Sequence, residues 1–579
     1  MENHKPEKVM TVNGRSVPCS QIKGIECVFS TYSANKLIKS DMLIIKENVH
    51  FHDGTIEPNI RLVKDKKWPF YITKEGFRNH NDKKEWEDIN KLQRFTSTRV
   101  ELTKTIAKVM GTMELPLRTM ANSPYLYGAD ILPTALIKNW YQKTWSDAKS
   151  PESRVASLDT ETSMIDGRII MANVCFQNKA YTAVVRSFTK GDPHFIEKCK
   201  QKAMEVMGEE ITAKKLEWEI EIVETPGEAT YRTIMMLHKW RPDFVSIWNM
   251  NFDIPKMVEA LTRDGYDPAQ VFSDPSVPDD FKFFKYQEGS ATRKNQAGVV
   301  TSLHPAERWH VCTCPASFYF VDSMCLYKRI RTAAGNEISY ALDYILNKQG
   351  CGSKLKMEEL KHLESDGDLW HFEMQDKHPV FYTVYNLRDD TALLDLDAKT
   401  GDIASAFNTL AGISDYTNYN KNPRRIVDDL HFFVMDRNKI IATTPDDISK
   451  DPLNNLVLGM NSWIITLPAY MIDNGMNIFE DLPAIKSMIY HSLADLDLES
   501  TYPNAQLVLN ISKETTLFET GMIRNMSEVQ RRELGLLLTS GNTAALEIGI
   551  KYFGLPSPAQ LIAQYEKDHQ ESADVDKAA

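Results

Sequence analysis

Two carboxylates, Asp159 and Glu161, stand one residue apart at the end of an apolar run that begins at Val155. In a β-strand, side chains at positions i and i+2 share a face, so both carboxylates would point the same way. Adjacent carboxylates repel each other unless a cation lies between them, and hard oxygen ligands suit Mg²⁺ or Mn²⁺. The pair is a candidate metal site, and a solvated pair of surface carboxylates is the alternative.

Asp253 occupies a second position that could serve such a site. It follows a predicted strand over 243–248 and precedes Pro255, which suits the first position of a helix. Asp253 is therefore expected at a strand-to-helix junction. A structural role as the cap of that helix is the alternative.

A predicted helix carries Tyr385 and Asp389. It opens at Pro379 and ends near Gly401, residues typical of the first turn and of the C-terminus of a helix. Because Tyr385 and Asp389 are four residues apart, they share one helical face. A joint role in chemistry and simple packing beside solvent are both compatible with this spacing.

The elements that must position these residues include a predicted sheet. Asp166-Gly167 is a strong two-residue turn signal. Strands are predicted over 155–160, 168–176 and 181–188. The first carboxylate pair would then lie at the edge of a sheet, which is a rigid support. Residues 266–310 are irregular in pattern and are predicted to form a long surface excursion.

Composition limits the class of protein. At 579 residues the chain is too long for one hydrophobic core, and three or four domains are expected. No apolar run approaches the roughly 18 residues of a membrane span, and the N-terminus lacks an apolar signal segment. The 8 cysteines match neither a disulfide framework nor a zinc site, so reduced thiols in a cytoplasm are expected.

Charge leaves nucleic-acid binding open. The net charge of −11 does not favour it, but metal-holding carboxylates add to the negative count and a groove can still be basic. The stretch Lys66–His80 interleaves aromatic residues with Lys and Arg, which could stack on bases and contact phosphates. A half-buried strand whose lysines reach solvent is the alternative.

The order of these motifs resembles that of a known enzyme family. Asp159-x-Glu161, Asn249-x-x-Phe252-Asp253 and Tyr385-x-x-x-Asp389 resemble the three exonuclease motifs of family B DNA polymerases, and Asp497-x-x-Ser500-x-Tyr502-Pro503 is similar to the family's first palm motif. Within this family, the motifs most resemble those of the replicative polymerases of T-even-type bacteriophages and their large-genome relatives. The resemblance covers residues 60–516 approximately and is supported by the segments Val321–Lys328, Ser339–Tyr344 and Asn510–Thr515.

The resemblance implies roles for the exonuclease residues. Two divalent metal ions, Mg²⁺ or Mn²⁺, would be held by Asp159, Glu161, Asp253 and Asp389. Tyr385 would orient the attacking water. Asn249 and Phe252 would contact DNA, although Asn249 departs by one residue from the commonest spacing in the family.

The palm motif implies nucleotide addition. Asp497 would be the first of two metal-binding aspartates, and the nucleotide would contact Leu498, Ser500, Thr501 and Tyr502. The ring of Tyr502 would exclude a 2′-OH, and the family usually has leucine where Thr501 stands. Neither the fingers motif Lys-x-x-x-Asn-Ser-x-Tyr-Gly nor Asp-Thr-Asp, which supplies the second aspartate, follows Pro503 in this sequence.

These expectations define a fold and a domain plan. The fold class is α/β, with an RNase H-like 3′–5′ exonuclease domain built on a mixed sheet, a family B N-terminal domain and a partial palm. The expected domains are an N-terminal domain (1–150), the exonuclease (151–405), a connecting segment returning along the N-terminal domain (406–485), and the partial palm with a disordered tail (486–579).

The expected protein is the N-terminal subunit of a split phage DNA-directed DNA polymerase with proofreading exonuclease activity. Its expected partners are DNA (single-stranded 3′ ends and primer-template), deoxynucleotides, and a second subunit with fingers, remaining palm and thumb. A sliding clamp is a further candidate partner, no membrane is expected, and the place of action is the host cytoplasm during infection. The alternatives are a free-standing 3′–5′ exonuclease with a palm remnant, and a non-catalytic DNA-holding assembly subunit.

Overall fold

The computed structural model describes residues 9–443 apart from short gaps, all within the unit Met1–Thr444. The gaps are 80–82, 85, 147, 151, 295–299, 364–365, 409–413 and 420–438. The predicted partial palm and its tail lie outside the described residues. So do the palm site residues Asp497, Leu498, Ser500, Thr501 and Tyr502.

The N-terminal part is built mainly from antiparallel strands. In chain order its elements are β1 (Val9–Val12), β2 (Arg15–Pro18), β3 (Ile22–Asn35), β4 (Ser40–Phe51), β5 (Ile56–Lys64), β6 (Trp68–Thr73), β7 (Trp86–Asp88), β8 (Leu92–Ser97), α1 (Leu102–Met110), α2 (Leu117–Met120), β9 (Leu126–Tyr127) and α3 (Pro133–Thr144). β4 is the central strand of the sheet β3-β4-β5, and β6 is the central strand of β8-β6-β9. β4 is buried almost throughout because both of its faces are covered: Leu43 and Ile45 pack against α3, and Met42 and Ile44 pack against Val277 and Phe281.

The aromatic and basic stretch Lys66–His80 contains the half-buried strand β6. Trp68, Phe70 and Ile72 alternate along it and are buried, as the period of a strand requires. The Lys66 ammonium lies 4.9 Å from the centre of the Trp68 ring and 5.5 Å from that of Trp140. Trp68 and Phe70 are therefore committed to packing.

The second part of the chain contains the remaining elements. The strands are β10 (Val155–Thr162), β11 (Ile169–Phe176), β12 (Lys179–Val185), β13 (Glu217–Val223), β14 (Phe244–Ile247), β15 (Lys285–Gln287), β16 (Thr292–Lys294), β17 (Val300–Ser302), β18 (Val311–Thr313), β19 (Tyr319–Asp322) and β20 (Ile440–Ala442). The helices are α4 (Phe195–Lys214), α5 (Pro226–Trp240), α6 (Met250–Arg263), α7 (Pro268–Phe272), α8 (Ser323–Ile330), α9 (Leu342–Gln349), α10 (Gly367–Lys377) and α11 (Pro379–Thr400).

A mixed six-stranded sheet organises this part, in the order β13-β12-β11-β10-β14-β19. β11 runs antiparallel to both of its neighbours, whereas β10/β14, β14/β19 and β12/β13 are parallel pairs. α5 and α6 pack on one face of the sheet, and α4 and α11 pack on the other. The predicted α/β class with a mixed sheet is confirmed.

Two local predictions are wrong. Helix α6 begins at Met250, so Pro255 lies inside the helix and not at its first position. The reason is Asn249, which adopts a left-handed backbone conformation with φ of 67° and turns the chain directly from β14 into the helix. The segment 266–310 is also more than a surface excursion, because Phe272 of α7 is fully buried in the core beside the sheet.

Part of the predicted connecting segment is described, and it contacts the N-terminal strands. The Tyr416 hydroxyl donates to the Val28 carbonyl at 2.8 Å, and the hydroxyls of Ser414 and Ser30 lie 2.8 Å apart. β20 pairs antiparallel with β7. Among the described helices, none has both the length and the apolar character needed to cross a bilayer.

Candidate metal centre

Strand β10 presents Asp159 and Glu161 on the same face of the sheet. Leu158 points to the opposite face, where it is buried in the core beneath α5 and α6. Asp159 pairs with Asn173 of the neighbouring strand β11. The register between β10 and β11 shifts between Glu161 and Thr162, where β10 ends. The predicted orientation of the two carboxylates follows from this alternation.

Helix α11 forms the facing wall. Tyr382, Tyr385, Asn386 and Asp389 recur at intervals of three and four residues, so they share the face that looks toward β10. The amide of Asn386 donates to Asp159 Oδ2 at 2.6 Å, and the Tyr382 hydroxyl donates to Glu161 Oε2 at 2.5 Å. Each strand carboxylate is thus held by a donor from the helix.

Three carboxylates converge between these elements. Oxygen atoms of Asp159, Glu161 and Asp389 all lie within 4.8 Å of one another. Asp389 is buried, and its Oδ1 has no hydrogen-bond partner among the described residues. An unpaired buried carboxylate oxygen is costly, and a cation at this point would remove that cost.

Burial and mutual repulsion make this cluster reluctant to ionise fully. Burial, and then the neighbouring Asp389, raise the pKa of Asp159 from its ordinary 3.8 to about 7. Burial, and then Asp159, raise the pKa of Glu161 well above its usual range. These shifts reflect how unfavourable several negative charges are here when no metal ion lies between them.

Asp253 lies beside the three carboxylates without joining them. It stands in the first turn of α6, and its Oδ1 accepts hydrogen bonds from the Thr160 amide at 3.0 Å and the Thr160 hydroxyl at 2.7 Å. Burial, and then Asp159, raise the pKa of Asp253, which shows that the two carboxylates are electrostatic neighbours. Asp253 is not the helix cap, because Asn249 holds that position.

The two predicted DNA contacts flank Asp253 in sequence. Asn249 is the left-handed residue before α6, and no side-chain capping bond forms there. Phe252 is 44% exposed although its neighbour Asp253 is buried. An exposed aromatic ring beside Asp253 in the sequence is a surface on which a base could stack.

Lys354 belongs to the site and carries no sequence signal. Its ammonium donates to Asp389 Oδ2 at 2.5 Å and to the Tyr385 hydroxyl oxygen at 2.9 Å. Burial lowers the pKa of Lys354, but Asp389 and Tyr385 outweigh it and raise the pKa well above the usual range. The lysine is therefore charged, and it lies in an irregular segment where no periodicity could reveal it.

A second group of potential ligands, His310, Asp322 and Cys325, takes part in structural hydrogen bonds, and the Cys325 thiol donates to the Pro305 carbonyl at 3.5 Å. Asp322 accepts from the amides of Cys325 at 2.9 Å and of Met250 at 3.1 Å, which fixes the start of α6. His310 Nδ1 accepts from the Gly289 amide at 3.2 Å, so the neutral ring carries its proton on Nε2 and has no lone pair left for a metal.

No protein-family model matches the chain, and no characterised protein matches it either.

Proposed function

We propose that this chain is a two-metal 3′–5′ DNA exonuclease with an RNase H-like fold. The observation that carries the proposal is the convergence of Asp159, Glu161 and Asp389, together with the unpaired buried oxygen that Asp389 carries. The three carboxylates are hard oxygen donors, which suit Mg²⁺ or Mn²⁺ better than they suit softer metals. The residues present therefore fit the divalent ions that the sequence resemblance implies.

Each residue has a distinct part in the proposed reaction. Asp159, Glu161 and Asp389 would hold the ions, with Asp253 at the margin of the site. When bound, divalent ions supply Lewis acidity and make water more acidic, which is the chemistry that phosphodiester hydrolysis requires. The oxygen of Tyr385 accepts from Lys354, and its hydroxyl proton would orient the attacking water.

We further propose that the exonuclease is one part of a split phage family B DNA polymerase. The support is the order of the three exonuclease motifs and the later motif from Asp497 to Pro503. Asp497 would then hold metal in the palm, with Leu498, Ser500, Thr501 and Tyr502 at the nucleotide. A free-standing exonuclease is the nearest alternative, since it needs the same metal centre; a non-catalytic assembly subunit would not need one.

The test is hydrolysis of a 5′-labelled single-stranded oligonucleotide with Mg²⁺ or Mn²⁺. We expect shortening from the 3′ end and loss of activity in excess chelator. When Asp159 and Glu161 are both replaced by alanine, we expect the rate of hydrolysis to fall by about a thousandfold, which is equivalent to about 4 kcal/mol of barrier. The matched control is the double variant Glu217→Ala/Glu219→Ala, which removes two exposed carboxylates at the same spacing from β13. Equal activity of the two double variants would refute the proposed site.

A further inference from the structure

A group of three side chains outside the carboxylate cluster is linked to Glu161 through the hydroxyl of Tyr382. His371 and Gln375 are four residues apart on α10, so they share a face, and both reach the hydroxyl of Tyr382 on α11. The Tyr382 oxygen lies 2.5 Å from Glu161 Oε2, 2.7 Å from His371 Nδ1 and 3.3 Å from Gln375 Nε2. One hydroxyl thus connects helix α10 to the carboxylate.

The donors and acceptors in this group determine the direction of each bond. Gln375 Nε2 donates to the Thr162 carbonyl at 2.9 Å, and its Oε1 accepts from the Met164 amide at 2.9 Å, which fixes the orientation of the side-chain amide. Its second N–H is then directed at Tyr382. When Glu161 is ionised, as a metal ligand must be, it can only accept, so the single hydroxyl proton of Tyr382 goes to Glu161 and His371 donates through Nδ1–H.

The same group steadies the irregular end of strand β10. The register between β10 and β11 shifts between Glu161 and Thr162, so the sheet ladder alone does not hold this point firmly. Gln375 bonds the backbone at Thr162 and Met164, immediately after the shift. Glu161 is therefore fixed through its carboxylate by Tyr382 and through the following backbone by Gln375.

We propose that Tyr382, oriented by His371 and Gln375, is a positioning residue that aims the Glu161 carboxylate at the metal. This inference rests on the proposed function and adds to it a second layer supplied by α10. Outer groups of this kind orient metal-binding carboxylates, and their loss typically weakens metal affinity by about 10- to 100-fold.

The test is the affinity of the full chain for Mn²⁺, measured by electron paramagnetic resonance, in the variant Tyr382→Phe. The ring remains and can keep its stacking on Tyr385, whose centre is 5.6 Å away, while the proton given to Glu161 is lost. We expect Mn²⁺ affinity to fall by about 10- to 100-fold and saturating Mn²⁺ to restore much of the hydrolysis rate.

The matched control is Tyr181→Phe, which removes an equivalent bond on the same sheet, from the Tyr181 hydroxyl to Glu221 Oε2 at 2.5 Å. Its Mn²⁺ affinity should equal that of the unsubstituted chain. Gln375→Leu tests the same support with Tyr382 in place, and we expect it to weaken Mn²⁺ binding by a smaller factor, a result that stands even if Tyr382→Phe folds poorly.

A double-mutant cycle separates positioning from a general structural effect. In a Glu161→Gln background, Tyr382→Phe should change Mn²⁺ affinity no further, because the two residues act through one carboxylate. Equal affinities of Tyr382→Phe and Tyr181→Phe, or an undiminished effect in the Glu161→Gln background, would overturn this inference and leave the proposed function standing. Failure of the unsubstituted chain to bind Mn²⁺ and to hydrolyse DNA would overturn both.

Discussion

Tyr385 and Asp389 both accept a hydrogen bond from Lys354, but they are expected to act differently. Asp389 contributes a metal-facing oxygen, whereas Tyr385 contributes a hydroxyl proton. We therefore expect Tyr385→Phe to slow hydrolysis by about a hundredfold while Mn²⁺ affinity stays unchanged. Single-turnover hydrolysis and a Mn²⁺ titration of the same preparation measure the two quantities.

Asp389→Ala is the comparison variant for this prediction. It removes the oxygen that lies with Asp159 and Glu161, so it should weaken Mn²⁺ binding as well as the rate. If Tyr385→Phe weakens Mn²⁺ binding as much as Asp389→Ala does, the assignment of separate roles to the two residues is wrong.

The raised pKa of Asp159, about 7, predicts how hydrolysis depends on pH. A protonated carboxylate cannot hold a divalent ion, so at low metal concentration we expect the rate at pH 6 to be about tenfold lower than at pH 8. Raising the Mn²⁺ concentration should move this drop to lower pH, because metal and proton compete for one group. A pH profile at two Mn²⁺ concentrations makes the measurement.

The hydrolysis rate should increase with pH, whereas the stability of the metal-free fold should decrease with pH. The pKa of Asp159 is about 7 in the folded chain and about 3.9 in an unfolded one, so between these values the folded state binds more protons. Stability without metal must therefore fall as pH rises through this window. Mn²⁺ should accordingly raise the melting temperature more at pH 8 than at pH 6, and an equal rise at both would contradict the shift.

Spacing in the sequence identifies only part of this site. Asp159 and Glu161 follow from strand alternation, and Asp389 follows from helix spacing with Tyr385. The same helix spacing extends to Tyr382 and so could have revealed it. Lys354 could not be predicted, because it comes from an irregular segment and reaches Asp389 only through the tertiary fold.

At the scale of elements, β10 and α11 were predictable because their patterns are regular. β10 extends from an apolar run, and α11 lies between Pro379 and the left-handed Gly401. The start of α6 was not predictable. The prediction placed Pro255 at the first turn, whereas the left-handed backbone conformation of Asn249 starts the helix earlier. Local conformations of this kind leave a weaker trace in sequence than periodicity does.

A buried ion pair joins the N-terminal strand β4 to the mixed sheet. The Lys46 ammonium lies 3.5 Å from Asp243 Oδ1, and the Arg154 guanidinium donates to the same oxygen at 2.8 Å. Burial raises the pKa of Asp243, but Lys46 and Arg154 outweigh it and hold the pKa below its usual range. Burial lowers the pKa of Lys46 to about 7, so at pH 6, where Lys46 is charged, we expect Asp243→Ala to lower the free energy of unfolding by about 3–5 kcal/mol, because it leaves Lys46 buried without its counter-charge.

Urea unfolding of the full chain measures this loss, and Asp376→Ala is its control. Asp376 pairs with Lys190 at 2.9 Å, but the two side chains are 59% and 48% exposed. Exposed pairs contribute about 0–1 kcal/mol, so this variant should unfold almost as the unsubstituted chain does. A loss of similar size in both variants would mean that burial does not determine the effect.

At the scale of the whole molecule, the site depends on contacts between residues far apart in sequence. β10 lies between β11 and β14, and β14 delivers the chain into α6 with Asp253, while Asp389 arrives on α11. The α/β class was predictable from alternating patterns, but strand order was not, because periodicity describes one element at a time. The ordered motifs gave the only sequence indication that these distant residues would meet.

DNA synthesis would take place at the palm motif around Asp497 and not at the exonuclease centre. Nucleotidyl transfer needs two metal ions clamped by palm carboxylates. In this sequence Asp497 matches the first of them, and no Asp-Thr-Asp after Pro503 supplies the second. We therefore expect a polypeptide of these 579 residues to shorten a primer but not to extend it, and to extend it once a second polypeptide supplies the fingers, the remaining palm and the thumb. Primer extension with and without that subunit, with Asp497→Ala as control, makes the measurement. Extension by this chain alone, or full activity of the reconstituted Asp497→Ala complex, would refute the split-polymerase proposal while leaving the exonuclease centre to its own test.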